Sequence, residues 1–148
     1  MQVFKDVPVQ MCQFHQIAIA RRYLTSRPKL DAAKELRALT LTLAVTNETT
    51  FTKLLNLWLE KWGSFLKERT THPDGRHWQY THKRIRSAFR SLSAHLPYLF
   101  TYQRYPNLHI PNTTNSLDGS FGKLKQLLNV HCGLTAHRRY RLIQEILS

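Results

Sequence analysis

Residues 48–69, ETTFTKLLNLWLEKWGSFLKER, decide the fold class. Phe51, Leu54, Leu55, Trp58, Trp62, Phe65 and Leu66 recur at steps of three and four, the spacing that gathers side chains on one face of an α-helix. An apolar stripe this continuous predicts a helix that buries both tryptophans. The same periodicity returns on either side. Upstream, Phe14, Ile17, Ala18 and Leu24 predict a helix over residues 12–24, with Arg21 and Arg22 in its last turns, where cations suit the helix dipole. Ser26-Arg27-Pro28 interrupts it, and Pro28 opens a second helix through Leu30, Ala33, Leu36, Leu39 and Leu43.

Downstream, residues 70–77 contain Pro73-Asp74-Gly75 and read as a turn or exposed loop. Ile85, Ala88, Phe89, Leu92 and Leu96 predict a fourth helix that ends at Pro97. Tyr98, Phe100 and Tyr102 then alternate ahead of Tyr105-Pro106 and Ile110-Pro111, so this part is expected to be extended or irregular, its rings filling a core. Asn112-Thr113-Thr114-Asn115 caps a helix to about Leu128, and Thr135 caps a last one with Leu142, Ile143, Ile146 and Leu147 on its apolar side. At the start of the chain Val7, Val9 and Met11 alternate with Pro8 and Gln10, the period of a half-buried strand. The fold class is therefore mainly α with one or few strands. A single strand ahead of helices looks cut from a larger sheet.

The chain has 148 residues, enough for one domain or a large piece of one. Its 22 Lys and Arg against 9 Asp and Glu give a formal charge of +13, and 42% of its residues are hydrophobic, which provides for a core. The charge is uneven: residues 1–74 hold 11 basic and 7 acidic side chains, residues 75–148 hold 11 and 2. A half so poor in acids repels itself unless a polyanion is near, and nucleic acid is the commonest such partner. Lys83, Arg86 and Arg90 share one helix face opposite the apolar one, and Lys123, Lys125, Arg138, Arg139 and Arg141 extend the basic set. No stretch free of charge reaches the ~20 apolar residues of a membrane span. The opening residues carry neither a secretory nor an arginine-rich leader. With only two cysteines, Cys12 and Cys132, the expectation is a soluble, cytoplasmic protein with reduced thiols, nucleoid-associated if bound to DNA.

A phosphate-binding Gly-rich loop, a Gly-x-Ser-x-Gly elbow and a His-Glu-x-x-His helix are all missing from the sequence. Two constellations remain. Cys12 and His15 lie one helical turn apart and would supply half of a tetrahedral zinc site, with His131 and Cys132 as a conceivable second half. A buried thiol and a hydrogen-bonded imidazole explain the first pair equally simply. Asp118 suits the first turn of a helix capped by Asn115, but it is also the sole acid between Gly75 and Ile143, set among Lys123 and Lys125, with Gly119 and Gly122 allowing close backbone approach. A carboxylate kept there has the chemistry of a magnesium ligand facing phosphate.

Taken in order, Val7-Pro-Val-Gln-Met-Cys-Gln-Phe-His15, then about a hundred residues later Thr113-Thr-Asn-Ser-Leu-Asp118, then His131-Cys-Gly-Leu-Thr135, the chain resembles the back half of the catalytic domain of Mutator-like bacterial insertion-sequence transposases. These are DDE-type enzymes, and the resemblance spans nearly the whole chain. It implies the C-terminal portion of an RNase H-like α/β domain carrying a helical insertion. Residues 1–26 would be the last strand and following helix of the core, 27–109 the insertion, and 110–148 the C-terminal helices with the third acidic position. The family holds two magnesium ions with three carboxylates, one metal activating the attacking oxygen and the other stabilising the leaving one. Asp118 matches the third acid, where glutamate is usual, and Cys12 and His15 match a Cys-x-x-His pair. The family's first two acids lie upstream of the strand and are not in this sequence; Asp6 falls in the turn before the strand, away from the matching position.

The resemblance thus implies a partial DDE transposase, related to DNA cleavage and strand transfer but without activity alone. Magnesium belongs to the complete enzyme and would not be bound by this chain by itself. DNA and the missing transposase half, or full-length transposase, are the expected partners. The alternatives are a non-catalytic, basic, helical nucleic-acid-binding protein and a small zinc-stabilised structural protein.

Overall fold

The computed structural model describes residues 7–73, 75–130 and 133–147. These residues fall into two compact units, one reaching Asn112 and the other starting at Thr113. The first unit is a helical bundle. Its helices are α1 (Gln13–Leu24), α2 (Asp31–Leu41, continued by a 3-10 turn over Thr42–Ala44), α3 (Glu48–Lys67), α4 (Lys83–Leu99) and the short α5 (Thr101–Arg104). Between α3 and α4 stands an antiparallel hairpin, β1 (Arg69–Thr71) and β2 (Trp78–Tyr80). The second unit holds α6 (Asn115–Val130) packed on α7 (Ala136–Leu147), with Leu124 buried. The protein is mainly helical, as its periodicity predicts.

Helix α3 starts where it does because the Asn47 side chain accepts a hydrogen bond from the Thr50 backbone N–H at 2.8 Å, satisfying one of the donors every helix leaves open at its head. Phe51, Leu55, Trp58 and Leu66 of its stripe are buried with Leu36 and Leu43 from the preceding segment and Ile85, Ala88 and Leu92 of α4. Trp58 stacks on Phe89 at 5.5 Å, and its indole N–H donates to the Ala32 carbonyl at 3.1 Å. The polar tip of the ring is thereby paired inside the core.

Helix α1 packs mainly on α4, and polar groups tie the two. The Gln16 amide donates to the Ser91 hydroxyl at 3.3 Å and accepts at 2.7 Å from His95. Gln13 donates to the Leu99 carbonyl at 3.0 Å and accepts from the Asn112 side chain at 3.3 Å. Both glutamines are buried, where an unpaired amide would be costly.

Four expectations are corrected. Residues 7–11 do not form a strand. Val7 and Val9 point outward, 58% and 60% exposed, while the alternate residue Gln10 donates to the Leu99 carbonyl and accepts from the Tyr102 N–H. The Met11 N–H caps the Tyr98 carbonyl at 2.8 Å, and the Val9 carbonyl accepts from the Thr101 hydroxyl. The end of α4, in place of a sheet, satisfies this segment. Second, residues 70–77 are not all loop, because Arg69–Thr71 and Trp78–Tyr80 pair around a tip at residues 72–77. Gly75, at φ 66°, supplies the left-handed residue that the tip requires. Third, α4 passes through Pro97 and ends at Leu99; a proline in the last turn forfeits only one helix hydrogen bond, so it need not end the helix there. Fourth, Thr101–Arg104 coils into α5 instead of running extended, with Phe100 buried against Phe51 and Tyr98 exposed.

Candidate nucleic-acid interface

The hairpin carries a ladder of alternating cations and rings. Its register sets Arg69 opposite Tyr80 and Thr71 opposite Trp78, and in β2 residues two apart share a face. Trp78 and Tyr80 therefore stand side by side, edge to face at 5.3 Å. The Arg69 guanidinium lies 3.9 Å over the Trp78 ring, and Arg86, from α4, lies 3.9 Å over the Tyr80 ring. Such contacts fix a guanidinium without neutralising it. Flanking residues moor the hairpin: the Thr70 and Thr81 hydroxyls meet at 2.7 Å, and His82 reaches Glu68 at 2.8 Å while stacking 3.6 Å from Phe65.

Beside the ladder, α3 and α4 enclose a groove of about 620 Å³. Leu59, Leu66 and Phe89 give it an apolar floor, and Lys67, Arg86 and Arg90 line it with charge. Gly63 lines it as well, and a Cβ there would meet only Leu59 Cδ1 at 3.9 Å, so the space beside this turn of α3 is open. Lys83 adjoins on the same helix, its ammonium donating to the Gln79 side chain at 3.0 Å. Among the described residues none of Lys67, Arg69, Lys83, Arg86 and Arg90 forms an ion pair. Acids of this unit are instead engaged elsewhere: Asp31 with Lys34 at 2.8 Å, Glu35 with Lys61 at 2.7 Å, and Glu48 with Arg104. Those partners hold the Asp31 and Glu35 carboxyls below their ordinary values, chiefly through hydrogen bonds from Lys34 and from Lys61, and Glu48 holds Arg104 above its own. Glu68 is the acid nearest the hairpin and is held by His82, so the five cations leave this face with a net positive charge.

The expected stripe of Lys83, Arg86 and Arg90 is thus assembled on α4. In the second unit Lys123 and Lys125 are exposed on α6, and a two-residue step turns them to different sides of the helix. Arg138 and Arg141 line a groove on α7 with Leu134, Leu142 and Glu145, and Arg139 is exposed beside them. Thr135 stands at the head of α7, as the sequence predicts, with its hydroxyl 3.5 Å from the Arg138 N–H.

Asp118 lies in the first turn of α6, exposed, its carboxylate accepting from the Thr114 hydroxyl at 3.0 Å. Cys12 is buried just ahead of α1, and His15 is exposed with its ring edge-on to Phe14 at 5.9 Å. Asp118 belongs to the second unit, Cys12 and His15 to the first. His131 and Cys132, the other half of the conceivable zinc set, lie outside the described residues, as does Asp6. Among the described residues no three His, Cys, Asp or Glu side chains are grouped so that they would hold a metal ion. No helix among them is long and apolar enough to cross a membrane.

Sequence reasoning missed Lys67, Arg69, Trp78 and Tyr80 as members of the basic face. The signal was present: Arg69-Thr-Thr and Trp78-Gln-Tyr are β-prone triplets on either side of a Pro-Asp-Gly tip. No family model matches the chain, and no curated protein and no solved structure matches it.

Proposed function

We propose that this chain is a DNA-engaging portion of a DDE-type transposase catalytic domain, able to grip DNA but not to cut or join it alone. One observation carries the DNA-binding part: five cations, Lys67, Arg69, Lys83, Arg86 and Arg90, share the α3–hairpin–α4 face with the exposed Trp78 and half-buried Tyr80 rings, and none of the five pairs with an acid among the described residues. The transposase part rests on the ordered motifs at Cys12–His15 and Thr113–Asp118 and on the helical segment between them. Asp118 would be the third carboxylate of the family's magnesium cage, and Cys12 and His15 its Cys-x-x-His pair. A magnesium centre would need two further acids from another chain segment.

Duplex DNA titrated against the purified chain tests this reading. Five phosphate contacts at about −0.9 per contact predict a logarithmic salt slope of roughly −4 to −5, so affinity falls about 10²–10³-fold between 50 and 200 mM salt. With magnesium added, the chain alone should leave supercoiled DNA unnicked. Absence of binding at 50 mM salt would remove the DNA reading. Nicking by the chain alone that survives Asp118→Asn would remove the transposase reading.

A further inference from the structure

Resting on that DNA-binding reading, we infer that the α3–α4 groove is a site for an unpaired nucleotide, so that the chain prefers single-stranded or locally open DNA to intact duplex. The groove joins two chemistries that a duplex does not use together. A duplex offers an outside of phosphates and base edges, for which cations suffice. Its base faces are hidden in the stack. An apolar floor of Leu59, Leu66 and Phe89, rimmed by Lys67, Arg86 and Arg90, suits a base whose face is free and whose phosphate lies close by. The volume, about 620 Å³, falls in the range of roughly 300–1,000 Å³ typical of small-molecule sites.

The hairpin continues the same pattern. Trp78 is 51% exposed although Arg69 covers one of its faces, leaving ring surface on which a neighbouring base can stack. Arg86 links the two places, since it lies over Tyr80 and also lines the groove. Charge selects the occupant: a rim whose Lys67, Arg86 and Arg90 pair with no acid among the described residues favours a polyanion over a neutral apolar segment. Uracil or thymine strands serve as well as any, because stacking is tolerant of sequence.

The test compares a fluorescent fifteen-nucleotide dT strand with a duplex of equal length, by anisotropy at 50 mM salt. Gly63→Leu fills the groove from inside a helix, where leucine is a better helix former than glycine and only Leu59 Cδ1 stands within 4 Å of the new Cβ. Trp78→Ala removes the exposed platform without touching the core. The intact chain should hold dT at least about tenfold more tightly than duplex. Each variant should lose about tenfold on dT, and its preference for dT over duplex should fall at least about fivefold. If duplex binds as tightly as dT, or the variants weaken both alike, the unpaired-nucleotide site is wrong while DNA binding stands. If neither DNA binds, both readings fall. A lowered urea midpoint for Gly63→Leu shifts the decision to Trp78→Ala, whose unchanged dT affinity would overturn the inference.

Discussion

The amide of Gln13 is fastened at both ends inside the protein, donating to Leu99 and accepting from Asn112. Gln13→Leu keeps the volume but leaves buried partners without their bonds, and should cost about 1–3 kcal/mol in urea unfolding. An unchanged midpoint would show that water takes over. Cys12 and His15 draw the eye in the sequence, yet the glutamines beside them join α1 to α4. That role was not legible, because a glutamine at helical spacing looks like surface until its partners, 75 to 99 residues away, are known. Thr25 gives a second residue-scale prediction. It ends α1 at φ 69° and ψ 173°, a region that glycine occupies freely and a β-branched residue does not. Thr25→Gly should therefore stabilise the chain by about 1 kcal/mol, seen as a higher thermal midpoint, whereas a lower one would mean that the threonine side chain outweighs the strain.

At the scale of elements, the helices were legible and the strands were not. Apolar stripes place α1, α2, α3, α6 and α7 to within a few residues of the observed bounds, since helical period needs no knowledge of distant partners. The period of two at residues 7–11 misled, because the alternation was apolar while the backbone found its acceptors at the end of α4. The real strands are three residues each, too short to show any period. Helix α3 depends on its cap: Asn47→Ala should lower stability by about 1 kcal/mol in urea, and no change would place the start of the helix elsewhere. Glu35 joins α2 to α3 through Lys61 and the Trp62 indole at 2.7 and 2.8 Å. These bonds depress its pKa from the ordinary 4.5, so its contribution is whole above that value and is lost as the pH falls through the lower folded one. The stability difference between the intact chain and Glu35→Gln should hold constant above about pH 5 and shrink at lower pH; a difference indifferent to pH would contradict the link.

Across the whole molecule, the charge asymmetry read from composition becomes a located face. Much of it was foreseeable: Lys83, Arg86 and Arg90 follow from helical spacing alone. What composition does not give is the enclosure of a groove by α3 and α4, or the hairpin that brings Arg69 and two rings to its side. On the proposed transposase reading such a face has a reason, since a domain that cuts DNA must first hold it.

The most direct measurement is the salt slope of duplex binding for the intact chain beside a Lys67→Gln, Arg86→Gln, Arg90→Gln variant. Removing three phosphate contacts should flatten the slope by about 2.7, at roughly 0.9 per contact, and weaken binding at low salt. A slope that stays the same in the variant, or an intact chain that does not bind DNA at all, would contradict the assignment of this face.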